Sequence, residues 1–98
     1  MGFKDVKAKV LACLASGAVL HEQRGDIDIK NLLATGQVSL EELIAVIARS
    51  RGHQYSSSPH HWIDGIEVHI LKTRRNDENW YVKWYFVEPN TVFISVHH

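Results

Sequence analysis

The last nineteen residues of the chain constrain its fold more than any other stretch. Residues 80–98 read WYVKWYFVEPNTVFISVHH, in which large apolar side chains alternate with polar or aromatic ones. A period of two residues is typical of a β-strand with two different faces. Glu88-Pro89-Asn90 interrupts the alternation, because proline fixes φ and has no backbone N–H to donate. The stretch therefore predicts an antiparallel hairpin with one apolar face and one face that carries hydroxyl, ammonium and imidazole groups.

The length and charge of the chain predict a single domain, residues 1–98, with one modest core. Eleven Lys and Arg balance eleven Asp and Glu, which argues against nucleic-acid binding through bulk charge alone. The basic residues are nevertheless concentrated in the C-terminal third of the chain, at Lys72, Arg74, Arg75 and Lys83. A local basic patch is therefore compatible with the composition.

Cysteine use and hydropathy favour a cytoplasmic protein. Cys13 is the only cysteine, so the chain cannot form an internal disulfide, and we interpret this residue as a small core side chain rather than a nucleophile. No apolar run is long enough to span a membrane, and no secretory segment is recognisable. We therefore expect no membrane partner.

Helices are predicted in the first half of the chain. Apolar residues at helical spacing predict a helix from Lys4 to Ser16, which ends at Gly17. A short second helix is predicted within residues 26–35. Ser39 and Glu42 have the spacing of a capping box at the start of a third helix, and Gly52 is expected to end it.

The second half of the chain predicts a three-stranded meander. Residues 53–65 are rich in Ser, Pro and His and are expected to form a loop. Residues 67–72 alternate as a strand, and residues 73–79 form a polar turn into the C-terminal hairpin. The predicted fold is α+β, with N-terminal helices packed on one face of a C-terminal antiparallel sheet.

The arrangement of polar side chains on this sheet suggests a site. We expect the helices to cover the face formed by Val68, Ile70, Trp80, Val82, Trp84 and Phe86. The uncovered face would then carry Glu67, His69, Tyr81, Lys83, Tyr85, Ser95 and His97. Opposed Cβ atoms on antiparallel neighbours lie roughly 5 Å apart, so these groups would lie close together.

This set of side chains is compatible with RNA cleavage through the 2′-hydroxyl group of the substrate. Histidine moves protons near neutral pH, lysine stabilises phosphorane charge, and tyrosine stacks on bases. Such cleavage needs neither a metal nor a cofactor. The alternative is that an antiparallel sheet commonly has one solvated polar face without chemistry. A metal site at His60-His61 or His97-His98 is not expected, because adjacent strand residues point to opposite faces and no acidic or Cys cluster completes it.

Several of these segments together resemble a known family. The helix before Ser16-Gly17 is followed by residues 39–47, SLEELIAVI, by residues 53–57, HQYSS, and then by residues 80–83, WYVK, and 93–97, FISVH. This order resembles the MqsR family of bacterial toxins over nearly the whole chain. The resemblance implies a RelE-like α+β fold, cleavage of mRNA, and inhibition by a cognate antitoxin protein.

The resemblance also assigns roles to individual residues. Tyr81 matches a tyrosine implicated in RNA cleavage, Lys83 the lysine beside it, and His97 a basic residue near the C-terminus. In two places the chain departs from the family pattern. The Tyr-Lys-Ser loop motif is here Tyr55-Ser56-Ser57, and Val68, next to His69, stands near the position of the family's glutamine.

The resulting hypothesis is a toxin-like endoribonuclease. The expected catalytic residues are His69, Tyr81, Lys83 and His97. The expected substrate-binding residues are Tyr55, Lys72, Arg74, Arg75 and Tyr85. The rival hypothesis, favoured by the missing loop lysine, is a non-catalytic protein- or RNA-binding module of the same fold. A small metal-binding protein ranks last.

Overall fold

The chain folds into two α-helices and a five-stranded mixed sheet within residues 2–22 and 31–98, which the computed structural model describes. The helices are α1 (Phe3–Ser16) and α2 (Leu40–Arg49). The strands are β1 (Val19–His21), β2 (Tyr55–Pro59), β3 (Glu67–Arg75), β4 (Glu78–Val87) and β5 (Asn90–His97). The strand order is β1-β5-β4-β3-β2, with β1 parallel to β5 and the other neighbours antiparallel. The α+β class is as predicted, but the predicted sheet of three antiparallel strands is too small.

Local signals in the sequence account for both helices. Gly17 has a φ of 78° and ends α1 in the left-handed conformation, which glycine adopts without steric cost. The Ser39 hydroxyl accepts a hydrogen bond from the Glu42 N–H at 3.1 Å and begins α2. The prediction that Gly52 ends α2 was wrong, because the helix ends at Arg49 and Gly52 begins a short 3₁₀ turn, Gly52–Gln54.

The first half of the predicted helix within residues 26–35 lies outside the described residues. Its described end is not helical, since residues 32–36 form turns. Asn31 makes an isolated parallel bridge to Val96 in β5, and its side-chain amide donates to the Phe93 carbonyl at 3.4 Å. These contacts fix residue 31 against the sheet.

Two clusters of buried side chains lie on opposite faces of the sheet. The main cluster joins both helices to the sheet and includes Val10, Leu14, Leu43, Ile47, Leu71, Trp80, Val82, Trp84 and Phe93. The prediction that the tryptophans point inward is confirmed, since Trp80 and Trp84 are 3 % and 0 % exposed. The smaller cluster consists of Val68, Tyr85, Val92 and Ile94, with Ile66 and Ile70 packed against it. The prediction that Val68 and Ile70 share the tryptophan face was therefore wrong.

A β-bulge changes the side-chain alternation of β5. The pairing between β4 and β5 shifts between Lys83 and Trp84, so that Ser95 lies opposite Lys83 while Phe93 lies opposite Trp84. Ile94 is the extra residue of the bulge. As a result, Phe93 packs in the main cluster and Ile94 in the smaller one.

Candidate functional site

A row of three side chains crosses the sheet on the face opposite the helices. The strand register pairs Lys72 of β3 with Tyr81 of β4, and Tyr81 with His97 of β5. Continuing the β2–β3 register by one position beyond Tyr55 and Leu71 brings Gln54 opposite Lys72. The row therefore runs from the β2 edge of the sheet to β5.

The rings in this row are close enough to fix one another's orientation. The Tyr81 and His97 rings are stacked, with centroids 5.1 Å apart and planes 13° from parallel. The Lys72 Nζ lies 5.9 Å from the centroid of the Tyr81 ring, at the range of a cation–π interaction. Tyr81 thus lies between an ammonium group and an imidazole.

The row forms part of a cavity of about 510 Å³, here called the sheet-face cleft. Its lining consists of Gln54, Lys72, Thr73, Arg74, Asn79, Trp80, Tyr81 and His97. Lys72 and Arg74 are cationic, and the described residues contribute no acidic side chain to this lining. Arg74 is exposed and lies 3.5 Å from the Asp77 carboxylate in the adjoining turn. Positive and hydrogen-bonding groups around an aromatic ring suit the phosphate and base of a nucleotide.

Lys83 lies one row away from the cleft on the same face. It pairs with Ile70 on one side and Ser95 on the other, and it is partly buried. Ser95 is 8 % exposed. The structure thus places four of the predicted residues, Lys72, Arg74, Tyr81 and His97, around the cleft and Lys83 beside them.

His69 lies on the opposite face of the sheet, and its predicted position beside Tyr81 and Lys83 was wrong. The register pairs His69 with Trp84, a residue of the main cluster, so the two side chains share the helix-covered face. The sheet separates His69 from the cleft. The error came from assigning the apolar Val68 and Ile70, rather than His69 and Leu71, to the helix side of β3.

The surroundings of His69 suit a buried neutral imidazole. Its Nδ1 lies 2.7 Å from the Tyr55 hydroxyl, and its ring contacts the Trp84 and Phe86 rings. Burial lowers the pKa of His69, Glu67 opposes that effect, and Lys9 adds to it. A small cavity of about 200 Å³ reaches His69, Glu67 and Phe86.

Tyr55 belongs to this second environment and not to the cleft, contrary to its predicted role in substrate binding. Its ring stacks on Phe3 of α1 at 4.9 Å between centroids. Burial raises the pKa of the Tyr55 hydroxyl, with smaller effects from Ser57 and Glu67. Arg75 is also on the helix side of the sheet. Side chains alternate between the two faces along a strand, so Arg75 shares a face with Leu71, whereas Lys72 and Arg74 share the other. Arg75 is therefore not among the residues that line the cleft, in contrast to Arg74.

Tyr85 is 6 % exposed and cannot stack on a substrate base, which corrects a further prediction. It lies beneath the segment between β2 and β3, where the His60 ring meets its face edge-on at 5.0 Å. His60 Nδ1 accepts hydrogen bonds from the N–H groups of Trp62 and Ile63, and its Nε2 is 3.4 Å from a Glu22 oxygen. His60 and Ile66 thus pack against the apolar half of this face.

Four lining residues of the cleft, Gln54, Thr73, Asn79 and Trp80, were not among the predicted site residues. Gln54 immediately precedes β2, and β2 itself was predicted as loop because its sequence is YSSSP. Asn79 was assigned to a turn, but it is the second residue of β4. The sequence signal for Asn79 is the dipeptide Asn76-Asp77, since Asn and Asp are favoured in two-residue hairpin turns. A turn centred on this dipeptide leaves Asn79 in the strand that follows.

The described residues contain no group of three or more His, Cys, Asp or Glu side chains arranged to hold a metal ion. In the same part of the chain, no helix has the length and apolar character needed to cross a membrane.

Comparison with models of known protein families found no match to this chain, and comparison with curated proteins found none either. The function is therefore inferred from the site itself.

Proposed function

We propose that the protein is a toxin-type endoribonuclease with a RelE-like fold, which cleaves mRNA in the cytoplasm and is held inactive by a cognate antitoxin. The observation that carries this proposal is the stacked Tyr81–His97 pair beside Lys72, in a cleft to which the described part of the chain contributes no acidic side chain. A base and a cation close together can perform the proton transfers and charge stabilisation of RNA cleavage, and an aromatic ring beside them can contact the substrate base.

The proposed reaction uses the 2′-hydroxyl of the substrate as nucleophile. His97 accepts the proton of that hydroxyl while the 2′ oxygen attacks the adjacent phosphorus. The bond from phosphorus to the 5′ oxygen breaks, and the Lys72 ammonium donates a proton to the leaving oxygen. The products are a 2′,3′-cyclic phosphate and a 5′-hydroxyl. Arg74 and Lys83 stabilise the charge that develops on the phosphorane oxygens.

Tyr81 acts in this proposal as a positioning residue. Its ring holds the His97 imidazole nearly parallel at 5.1 Å and also lines the cleft, where its edge can contact a base in an edge-to-face arrangement. Such aromatic pairs contribute about 0.5–1.5 kcal/mol beyond their buried area. His69 has no part in this mechanism.

A second candidate function is an RNA-binding module of the same fold that does not cleave. The burial of His69 on the other face supports it, because His97 is then the single imidazole that lines the cleft. A cleft with one imidazole has to use a lysine ammonium as the general acid that protonates the leaving oxygen. Lysine has an ordinary pKa of about 10.4 and is a weaker acid than an imidazolium near neutral pH.

The two candidates differ in the fate of single-stranded RNA incubated with the purified protein from pH ~5 to ~9. The nuclease proposal expects cyclic-phosphate ends, a loss of about 10²–10⁴-fold in rate for His97→Ala, and an unchanged rate for the exposed control His61→Ala. It also expects weaker RNA binding in Tyr81→Ala and near-normal binding in Tyr81→Phe. Binding without cleavage supports the module. RNA that is neither bound nor cleaved contradicts both candidate functions. Normal growth of bacteria that express the protein contradicts the toxin proposal alone.

A further inference from the structure

A second basic cavity lies outside the proposed catalytic site. It has a volume of about 560 Å³ and lies between the start of α1 and the segment after α2. Lys4, Lys7, Arg51 and His53 line it together with Phe3. We call it the helix-side groove.

The charge of this groove is one-sided. None of the described residues that line it is acidic, although Asp and Glu equal Lys and Arg in number over the whole chain. Lys7 is held in place, because its Nζ donates to the Ser50 carbonyl at 3.1 Å and lies 5.9 Å from the Phe3 ring centroid. An ammonium has three N–H donors, so Lys7 retains donors for an anion.

The 3₁₀ turn joins the helix-side groove to the sheet-face cleft. Arg51 and His53 line the groove, and Gln54, the next residue, lines the cleft. The Gln54 side-chain oxygen accepts a hydrogen bond from the Arg51 N–H at 2.9 Å, which ties the two ends of the turn together. Consecutive Cα atoms are about 3.8 Å apart, so the two cavities begin within about one residue of each other.

From this continuity we propose that the helix-side groove binds the phosphodiester backbone of the same RNA strand that occupies the sheet-face cleft. The proposal rests on the proposed function and specifies its substrate class. A strand that follows this route bends around the β2 edge of the sheet, from the sheet face toward the helices. Double-stranded nucleic acid is stiff over such distances, whereas a single strand bends freely. The substrate is therefore single-stranded RNA long enough to reach both cavities.

The test measures binding of fluorescent RNA by anisotropy over a range of salt concentrations. The probes are single-stranded oligoribonucleotides of about 4 to 16 nucleotides, the range of common single-strand sites. They carry 2′-O-methyl groups, which prevent cleavage because the attacking hydroxyl is blocked. Lys4→Gln/Arg51→Gln removes two exposed groove cations, and Arg49→Gln removes an exposed cation from the last turn of α2, outside the groove.

For long probes, the double variant is expected to bind about tenfold more weakly than the wild type, with its salt slope reduced by about 1.4. Short probes, which fill the cleft alone, are expected to bind both proteins equally. Arg49→Gln should match the wild type at every length, and a duplex of the same sequence should bind more weakly than the single strand.

Three results would overturn the inference, each in a different way. Equal binding of long probes by the wild type and the double variant removes the groove from the RNA path and leaves the proposed function intact. No binding of any probe by the wild type removes both proposals. Tighter binding of a polyglutamate peptide than of RNA, lost in the double variant, assigns the groove to an acidic protein partner instead.

Discussion

His69 is 7 % exposed although its ring carries two polar nitrogens. The Tyr55 hydroxyl at 2.7 Å satisfies one of them, and the Trp84 and Phe86 rings surround the remainder. A buried polar group is tolerated when it has such a partner. His69 is therefore explained by packing, which leaves the proposed chemistry to His97.

The burial of His69 predicts a dependence of stability on pH. Burial lowers its pKa in the folded state, so at a pH below about 6.5 the unfolded chain binds more protons at this residue than the folded chain does. The free energy of unfolding should consequently fall as the pH drops from ~7 to ~5. Urea unfolding of His69→Phe should show a smaller fall over the same interval.

Two comparisons make this measurement specific to His69. The exposed His61→Phe is the matched control for the loss of an imidazole elsewhere in the chain. The pKa of His21 is also lowered by burial, and His21 is present in every variant. The free energy of unfolding is therefore expected to fall somewhat with decreasing pH even in His69→Phe. An identical slope in the wild type and in His69→Phe would mean that His69 does not lose its charge on folding.

At the scale of elements, the β3–β4 turn connects stability to the cleft. Asn76 and Asp77 have φ values of 53° and 64°, as in the type I′ turn of a two-residue hairpin. Asp77 also lies 3.5 Å from the cleft residue Arg74. One residue thus affects both the turn conformation and the charge available to a substrate.

Two substitutions of Asp77 separate these effects. Asp77→Asn removes the carboxylate but keeps a side chain that tolerates positive φ, so RNA affinity should rise with little change in stability. Asp77→Gly should raise the affinity equally and also stabilise the fold by up to about 1 kcal/mol, because glycine adopts positive φ without strain. Anisotropy and urea unfolding measure the two effects. Unchanged affinity in both variants would show that Asp77 does not compete with RNA for Arg74.

The elements that the sequence predicted correctly are those with local signals. Gly17 and Ser39 mark helix ends through their own backbone or side chain, and Pro89 marks the turn before β5. β1 has only three residues and β2 is rich in serine, so their strand conformation depends on distant partners in the sheet. The bulge at Ile94 likewise depends on the pairing of two strands, and no single residue indicates it.

The sequence predicted only part of the cleft, because the remainder depends on how the strands pair. Alternation within β4 correctly joined Tyr81 and Lys83, and the hairpin added His97. The face of β3 could not be assigned from its own sequence, since Val68, Ile70 and Leu71 are all apolar and lie on both faces. If the face assignment of β3 is shifted by one residue, His69 leaves the cleft face and Lys72 joins it. This exchange is the difference between the predicted site and the observed cleft.

At the scale of the whole molecule, the two buried clusters should differ in their contribution to stability. Leu71 is fully buried in the main cluster, whereas Ile70 only packs against the smaller one. Leu71→Ala should lower the free energy of unfolding by about 2–5 kcal/mol. Ile70→Ala should have a clearly smaller effect, because its side chain retains contact with solvent. A larger effect for Ile70→Ala in urea unfolding would mean that the face assignment of β3 is reversed.

The pairing of β1 with β5 joins parts of the chain that are far apart in sequence, since Val19 lies beside Thr91. The Thr91 N–H donates to the Ala18 carbonyl at 2.9 Å, so this contact begins directly after α1. Contacts that close such long loops form slowly, whereas the β3–β4–β5 meander can form locally. We therefore expect β1 to join the sheet last, after the rate-limiting step of folding.

Stopped-flow measurements on Val19→Ala test this order of assembly. If β1 is absent from the transition state, the variant unfolds faster than the wild type and folds at the same rate. A slower folding rate would place β1 in the nucleus instead. In the expected case the Tyr81–His97 pair, which belongs to the meander, is assembled before the edge strand closes, so the proposed RNA-binding surface does not depend on β1 for its formation.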